Sequence, residues 1–286
     1  NPNLKILISI GGWNWSGKFS DTASTDASRI AFAESCAEFI VKYGLDGIDL
    51  DWEYPVGGGL STNSKRPQDK QNFTLLLKKI REKLDEQELK DYKQYSLTIA
   101  GGASQYYINN IEPEKIKDYV DYVNIMTYDL HGPWDAYSDF NAPLYNKSGA
   151  STQYKISVDT SVGLWINSGF PKDKLIVGVP FYGYIYQVNI DSNNGLLQKF
   201  TAGKALSYSS IKTNYASKGE FSRHFDSESM VPWLYGDKTF ISYDDGQSMK
   251  AKTDYIKSVG LGGAMIWELS QDYNNELLNS IYEGFK

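Results

Sequence analysis

The sequence predicts an α/β protein in which parallel strands alternate with crossover helices and a small α+β segment interrupts the alternation late in the chain. Short apolar runs of strand length alternate with longer amphipathic stretches along most of the 286 residues. No hairpin signal joins consecutive apolar runs, and parallel strands are connected by helical crossovers. The chain is long enough, with 41% hydrophobic and 22% charged residues, to bury a substantial core.

Six apolar runs are predicted to be strands. The first is followed by Gly11 and Gly12, which mark its end, and the fifth is closed by Pro180. The six runs are residues 4–10, 45–52, 95–100, 122–128, 175–180 and 263–268.

Five stretches carry apolar residues at helical spacing. In the first of them, Ile30, Ala33, Ala37 and Ile40 recur on one face, and Gly44 follows as a stop signal. The five predicted helices are residues 26–43, 70–84, 112–119, 151–168 and 250–259.

Residues 184–244 lack the strand–helix alternation. Short aromatic and aliphatic runs are broken there by Gly195, Gly203, Gly219 and Gly236. We predict that this segment is an α+β insertion following the fifth strand, and that residues 1–183 and 245–286 form the main domain.

Composition excludes several classes of partner and site. The formal charge of −6 disfavours nucleic acid and anionic membranes, which reward clustered Lys and Arg. No apolar run approaches the roughly 20 residues that cross a bilayer. The single Cys36 permits neither an intrachain disulfide nor a Cys-rich zinc site, and His131 and His224 are far apart in sequence. The sequence leaves the oligomeric state open.

Three acidic residues dominate the second predicted strand. Because side chains alternate along a strand, Asp49, Asp51 and Glu53 share one face, and Ile48 and Leu50 lie on the other. Neighbouring carboxylates cannot all stay ionised, so the pKa of at least one should rise, as a general acid requires. Two alternatives are a solvated acidic strand edge and a divalent metal site, although the latter usually draws more oxygen ligands from a flexible loop.

This segment resembles the signature of the family 18 glycoside hydrolases, the chitinase family. Asp46, Asp49, Asp51 and Glu53 match its DxxDxDxE pattern. Other segments resemble the same family in the expected order, so the resemblance covers essentially the whole chain. They are residues 9–13 (SxGG followed by Trp), 126–129 (MxYD), 178–183, 242–245 and 265–268.

The resemblance implies a TIM-type (β/α)8 barrel with an α+β insertion domain. Ser9 matches the third barrel strand of the family. The chain is therefore expected to lack the first two βα units, whose absence would leave the barrel open.

The resemblance also implies substrate-assisted, retaining hydrolysis of β-1,4 bonds between N-acetylglucosamine (GlcNAc) units, without a metal or organic cofactor. Glu53 would protonate the glycosidic oxygen, and Asp51 would orient the acetamido group of the substrate. Asp49 would exchange a proton with Asp51, and Tyr128 would donate its hydroxyl toward the acetamido group.

Six further residues are expected to bind the sugar. The resemblance places Trp267 under the sugar at the cleavage point, Trp13 and Trp134 on the leaving-group side, and Met126, Asp129 and Tyr182 along the cleft.

Other aromatic residues have no comparable motif. Trp15, Trp165 and Trp233 are predicted to pack internally, and His131 to be structural or to support the site indirectly. At the entry to the insertion, Tyr184 stands where the family often has Arg, which predicts the loss of a charge that contacts sugar.

The expected partner is chitin or GlcNAc oligosaccharides, and the resemblance implies a secreted, extracellular protein. Two other functions remain open: a family 18 enzyme acting on peptidoglycan or N-glycans, and a chitin-binding lectin on the same fold. Such lectins usually lack the terminal acid of the signature, whereas Glu53 is present. A generic barrel scaffold would leave the stacked acids unexplained.

Overall fold

The computed structural model describes residues 1–147 and 155–286. They divide into two compact units. The first comprises Asn1–Ile125 with Leu164–Leu175, and the second comprises the described residues of Met126–Gly163 with Ile176–Lys286.

The sheet of the first unit has four parallel strands, as the sequence predicts. Its strands are β1 (Leu7–Gly11), β2 (Gly47–Asp51), β3 (Ser96–Gly101) and β4 (Tyr122–Ile125), paired in that order. Ser9 of β1 is opposite Asp49 of β2, which is opposite Thr98 of β3. The register therefore sets three polar side chains at one level across the sheet.

Five helices belong to the first unit: α1 (Phe19–Ala23), α2 (Asp26–Tyr43), α3 (Asp69–Asp91), α4 (Gln105–Asn109) and α5 (Pro113–Ile116). α2 has the predicted bounds because both ends are capped. Thr25 accepts a hydrogen bond from the Ser28 amide, and Gly44 has φ 67°. The 112–119 prediction is too long, since α5 is a single turn. A 3₁₀ turn covers Ser16–Lys18.

α3 continues beyond the predicted residue 84 for a reason that hydrophobic periodicity does not detect. Arg81 pairs with Asp85 and Glu88, one and two turns further along the helix. Such pairs support a polar helical extension that has no apolar stripe.

The core of the first unit lies on the apolar side of β2. Ile48 and Leu50 are fully buried, and the Trp52 ring stacks on Phe19 with 5.5 Å between ring centroids. Cys36 is buried on α2, and burial raises the pKa of its thiol to about 12. A thiol in this environment is unreactive.

Helix α6 (Val158–Asn167) lies within the predicted helix 151–168, of which residues 151–154 are outside the described residues. Trp165 on α6 is fully buried, and its indole N–H donates to the Gly102 carbonyl over 3.1 Å. The prediction that Trp165 packs internally is confirmed. A 3₁₀ turn, Lys172–Lys174, follows.

The second unit contains seven strands in two groups. The strands are β5 (Leu175–Pro180), β6 (Tyr182–Val188), β7 (Phe200–Ser207), β8 (Ser222–Asp226), β9 (Val231–Gly236), β10 (Thr239–Ser242) and β11 (Gly263–Trp267). β5 and β11 pair in parallel, with Trp267 opposite Pro180. The other five form an antiparallel sheet in the order β7-β6-β10-β9-β8.

Aromatic side chains form the core of the antiparallel sheet. Tyr186 and Phe240 are fully buried, with Phe140 and Trp233 packed beside them. Trp233 therefore packs internally, as predicted. Aromatic residues make up 14% of the chain, and several of them pack in this core.

Three helices complete the second unit: α7 (Tyr208–Ile211), α8 (Gly246–Val259) and α9 (Glu276–Phe285). Its 3₁₀ turns are Asn193–Gly195 and Leu269–Gln271, and Lys212–Ala216 is a π-helical turn. Lys252 of α8 and Asp244 form an ion pair of 2.6 Å in which both side chains are buried. None of the helices in the described part of the chain is long and apolar enough to cross a membrane.

Candidate active site

The acidic segment at the carboxyl end of β2 is buried. Asp51 and Glu53 are only 9% and 8% exposed, respectively. A solvated acidic strand edge is therefore excluded, because carboxylates on such an edge would be accessible to water. Buried carboxylates are costly and require either compensating contacts or a chemical role.

Asp49 is held by polar groups from the other three strands of this sheet. Its Oδ2 accepts from the Ser9 hydroxyl over 2.6 Å. Its Oδ1 accepts from the Thr98 hydroxyl over 2.6 Å and from the Asn124 amide over 3.3 Å. The strand register described above produces this arrangement, which fixes the Asp49 carboxyl group beside Asp51.

Asp51 carries the raised pKa that the stacked acids predict. Burial, followed by the charges of Glu53 and Asp49, raises the pKa of Asp51 to about 7. No described residue donates a hydrogen bond to its Oδ1, so this oxygen remains available to a ligand donor. The Asp51 carboxyl group therefore changes its protonation state near neutral pH.

Ser16 joins the turn after β1 to the backbone of the acidic segment. The Gly12 amide donates to the Asp51 carbonyl over 2.8 Å. The buried Ser16 hydroxyl donates to the Gly12 carbonyl over 2.9 Å and accepts from the Glu53 amide over 2.8 Å. Sequence reasoning missed Ser16, because no pattern distinguishes it from the other serines.

Gly11 is required where β1 approaches β2. Its φ is 112°, and a Cβ at this position would lie 2.1 Å from the Asp51 carbonyl oxygen. Any side chain would push β1 away from the acidic segment. The glycine pair after the first strand therefore permits a close approach in addition to ending the strand.

We expect Ser16→Ala to destabilise the protein by about 1–3 kcal/mol, because it leaves the buried Glu53 amide without its acceptor. Urea unfolding measures the change. Ser35→Ala is the matched control, since the Ser35 hydroxyl donates to the Phe32 carbonyl on an exposed helix face. Equal stability losses for the two variants would contradict the role of Ser16.

Two tryptophans of the turn after β1 reach solvent. Trp13 is half-exposed, which leaves its ring available for stacking. Trp15 is 83% exposed, so the prediction that it packs internally is wrong. The Trp15 amide donates to the Gly12 carbonyl, which closes a turn and leaves the indole outside the core. A turn residue has no periodicity from which its burial could be predicted.

A second group of predicted residues surrounds Asp129 in the second unit. Its backbone has φ 54°, and its amide donates to the Asn141 side chain over 2.8 Å. The Tyr182 and Tyr184 hydroxyls donate to Asp129 Oδ1 over 2.6 and 2.7 Å. The Tyr128 ring meets the Tyr182 ring edge-on at 6.1 Å.

Other predicted residues of the second unit lie near this group or at a strand end. Met126 packs against the aromatic core that includes Tyr128 and Tyr182. Trp134 is 61% exposed. The half-exposed Trp267 ends β11, and its carbonyl accepts from the Phe181 amide over 2.8 Å.

The predicted site residues thus form two groups. The first unit holds the acids of β2 and Trp13, and the second holds the residues that surround or accompany Asp129. His131 is buried and hydrogen-bonded to Asp135 over 3.1 Å. Burial lowers the pKa of His131, but Asp135 and Asp139 outweigh burial and raise it overall. Among residues 1–147 and 155–286, no three His, Cys, Asp or Glu side chains converge as metal ligands.

The sequence profile of the glycosyl hydrolases family 18 matches residues 1–272. The chain belongs to glycosyl hydrolase family 18. The acidic signature at the end of β2 lies within the matched residues. The family relationship extends well beyond this signature, across both units.

The curated relatives that the chain matches are longer than the chain itself. Chitinase A1 of Niallia circulans is 48% identical over 98% of this chain, but the alignment covers 42% of that protein. Chitotriosidase-1 of Mus musculus is 34% identical over 95% of this chain and 59% of its own length. The chain therefore spans about half the length of these relatives.

A solved family 18 structure covers the whole chain. It is an N-acetylglucosaminidase from Paenibacillus barengoltzii, 41% identical, with a TM-score of 0.95 over 100% of this chain and 84% of its own. This similarity confirms the predicted fold class, a TIM-type barrel with an α+β insertion.

Proposed function

We propose that this chain hydrolyses β-1,4 bonds between GlcNAc units of chitin or its oligosaccharides. The observation that carries the proposal is the buried acid pair at the end of β2, in which Asp51 has a pKa of about 7 beside Glu53. Family 18 membership and the identity to Chitinase A1 support it.

The proposed reaction has two steps, both using Glu53. In the first, Glu53 gives its proton to the glycosidic oxygen as the bond to the anomeric carbon breaks. The carbonyl oxygen of the substrate's own acetamido group bonds to that carbon and forms an oxazolinium ion. In the second, Glu53 takes a proton from water as the water oxygen bonds to the anomeric carbon. The bond from that carbon to the acetamido oxygen breaks, which restores the acetamido group and the original configuration.

Asp51 is suited to stabilise the intermediate. Its Oδ1 has no donor among the described residues and can accept the acetamide N–H of the substrate. The same burial and neighbouring charges that raise its pKa disfavour its anion in the free protein. A positive charge developing on the oxazolinium would reverse that preference, so Asp51 stabilises the transition state more than the bound substrate.

The remaining roles rest on the family resemblance. Tyr128 would donate its hydroxyl to the acetamido group, and Asp49 would exchange a proton with Asp51. The sugar-binding residues would be Trp13, Met126, Asp129, Trp134, Tyr182 and Trp267. Half-exposed indoles such as Trp13 and Trp267 suit the C–H faces of pyranose rings. We also propose that the barrel comprises residues 1–183 and 245–286, that 184–244 form the insertion, and that the protein acts outside the cell.

A second candidate function is release of single GlcNAc residues. The similar structure from Paenibacillus barengoltzii is an N-acetylglucosaminidase, and the chain covers 84% of it. The two activities use the same chemistry. They differ in the number of sugar units that bind on the side of the cleaved bond that becomes the oxazolinium intermediate.

Fluorogenic glycosides with one, two and three GlcNAc units test both candidates. We expect the two- and three-unit substrates to be cleaved and the one-unit substrate to be cleaved poorly. Preferential cleavage of the one-unit substrate would favour the N-acetylglucosaminidase. We also expect a GlcNAc-thiazoline of matching length to inhibit competitively, because it mimics the oxazolinium ion. Hydrolysis without inhibition would contradict substrate assistance, and no hydrolysis of any of the three substrates would contradict the proposed function.

A further inference from the structure

Tyr184 contacts two predicted sugar-binding residues at once. It lies two residues after Tyr182 on β6, so the two phenol rings share one face of the strand. Both hydroxyls donate to the same oxygen of Asp129. Tyr184 also occupies the position at which the sequence departs from the family pattern.

The contact with Asp129 is a strong one. Tyr182 and Tyr184 are both buried, and hydrogen bonds to an ionised acceptor in such surroundings exceed neutral ones in strength. Burial and the Asp129 charge raise the pKa of Tyr184, so its phenol remains a donor throughout the physiological range. With Oδ1 held by two donors, the carboxylate plane of Asp129 is fixed and its Oδ2 has a defined direction.

The second contact is with Trp134. The Tyr184 and Trp134 rings meet edge-on, 5.6 Å apart at 86°. The indole also lies over Gly132, where an added Cβ would come within 2.2 Å of the ring. An exposed tryptophan without such neighbours would sample several rotamers, and ordering it on binding would reduce affinity.

We propose that Tyr184 is a positioning residue that fixes the Asp129 carboxylate and the Trp134 indole together, so that both meet a GlcNAc oligomer in a preformed arrangement. This inference rests on the proposed function. Because Tyr184 is uncharged, the Asp129 carboxylate supplies the charge in this part of the proposed site. A carboxylate can accept hydrogen bonds from the hydroxyl and amide donors of a neutral sugar.

Tyr186 provides a matched control on the same strand. Its hydroxyl is buried and has no hydrogen-bond partner among the described residues, and its ring packs against Phe200 and Phe240. Tyr184→Phe and Tyr186→Phe remove the same atom from neighbouring positions of one face. Only the first removes a hydrogen bond.

We expect Tyr184→Phe to raise KM and the Kd for chitotriose about tenfold and to change kcat less than about twofold. The substitution removes the charge-assisted hydrogen bond from the Tyr184 hydroxyl to Asp129, so the arrangement that meets the oligomer is no longer preformed. We expect Tyr186→Phe to leave all three unchanged. Steady-state kinetics and calorimetry make the comparison. Equal effects of the two variants, or a fall in kcat at unchanged KM, would overturn the proposal.

Iodide quenching of tryptophan fluorescence tests the Trp134 contact without substrate. The signal of Trp134 is obtained as the difference between each protein and its Trp134→Phe counterpart. We expect Tyr184→Ala to increase this quenching about twofold or more and Tyr184→Phe to leave it unchanged, since the phenyl ring keeps the edge contact. Unchanged quenching in Tyr184→Ala would overturn the proposal. If the parent chain bound no oligomer, the proposed function would fail, whereas quenching would still report on Tyr184.

Discussion

Glu53→Gln should reduce turnover of chitotrioside by about 10³-fold or more while the Kd for chitotriose changes little, because the amide keeps the shape of the side chain but cannot donate a carboxylic proton. The effect should be larger than that of any other single change considered. Initial rates with the fluorogenic trioside and calorimetry with chitotriose measure the two quantities.

Glu38→Gln is the control for this variant. Glu38 is an exposed carboxylate on α2, so the same chemical change there should leave rate and affinity unaltered. Normal hydrolysis by Glu53→Gln would refute the role of Glu53 as proton donor. Loss of both rate and binding would point instead to a disrupted site and would also count against the assignment.

Asp51→Asn should lower kcat by about 10²-fold or more, because the neutral amide cannot offset the positive charge of the oxazolinium ion. It should also stabilise the folded protein above pH 7. The gain in stability has a separate cause, which is the cost of burying an Asp51 anion beside Glu53 and Asp49.

The pH dependence follows from the raised pKa of about 7, compared with the ordinary value of 3.8. Between these values the folded protein retains a proton that the unfolded chain has released, so stability falls as pH rises towards 7. At about 1.4 kcal/mol per pKa unit, the full penalty above pH 7 is about 4–5 kcal/mol at most. Asp51→Asn removes it.

Urea unfolding at pH 4.5, 6 and 8 measures the prediction. The stability difference between variant and parent should grow with pH, whereas Asp173→Asn, at an exposed position, should show no such trend. A difference independent of pH would contradict the raised pKa. An unchanged rate would contradict the orientation of the acetamido group by Asp51.

The sequence predicts those parts of the fold whose information is local. α2 has the predicted bounds because its cap residues and apolar spacing agree, and strand alternation correctly separates Asp49 from Leu50. Adjacent like charges predict a raised carboxyl pKa, but its place at Asp51 depends on burial and on the charges of Glu53 and Asp49. Those are properties of the folded sheet.

Contacts between distant segments could not be predicted. Ser16 reaches the Glu53 amide across 37 positions, and Tyr184 reaches Asp129 across 55. Neither serine nor tyrosine spacing signals such a partner. The prediction for Trp15 is wrong for a related reason, since the burial of a turn residue depends on which way the turn faces.

The Lys252–Asp244 pair limits the substitutions open to the protein over evolutionary time. Both groups are almost completely enclosed, so loss of either one strands a charge in the interior at a cost of about 3–5 kcal/mol. Replacing both by apolar residues of similar volume is often neutral, yet each single intermediate is close to the limit of tolerable stability. We therefore expect Lys252 and Asp244 to be either both kept or both replaced in proteins that descend from this sequence.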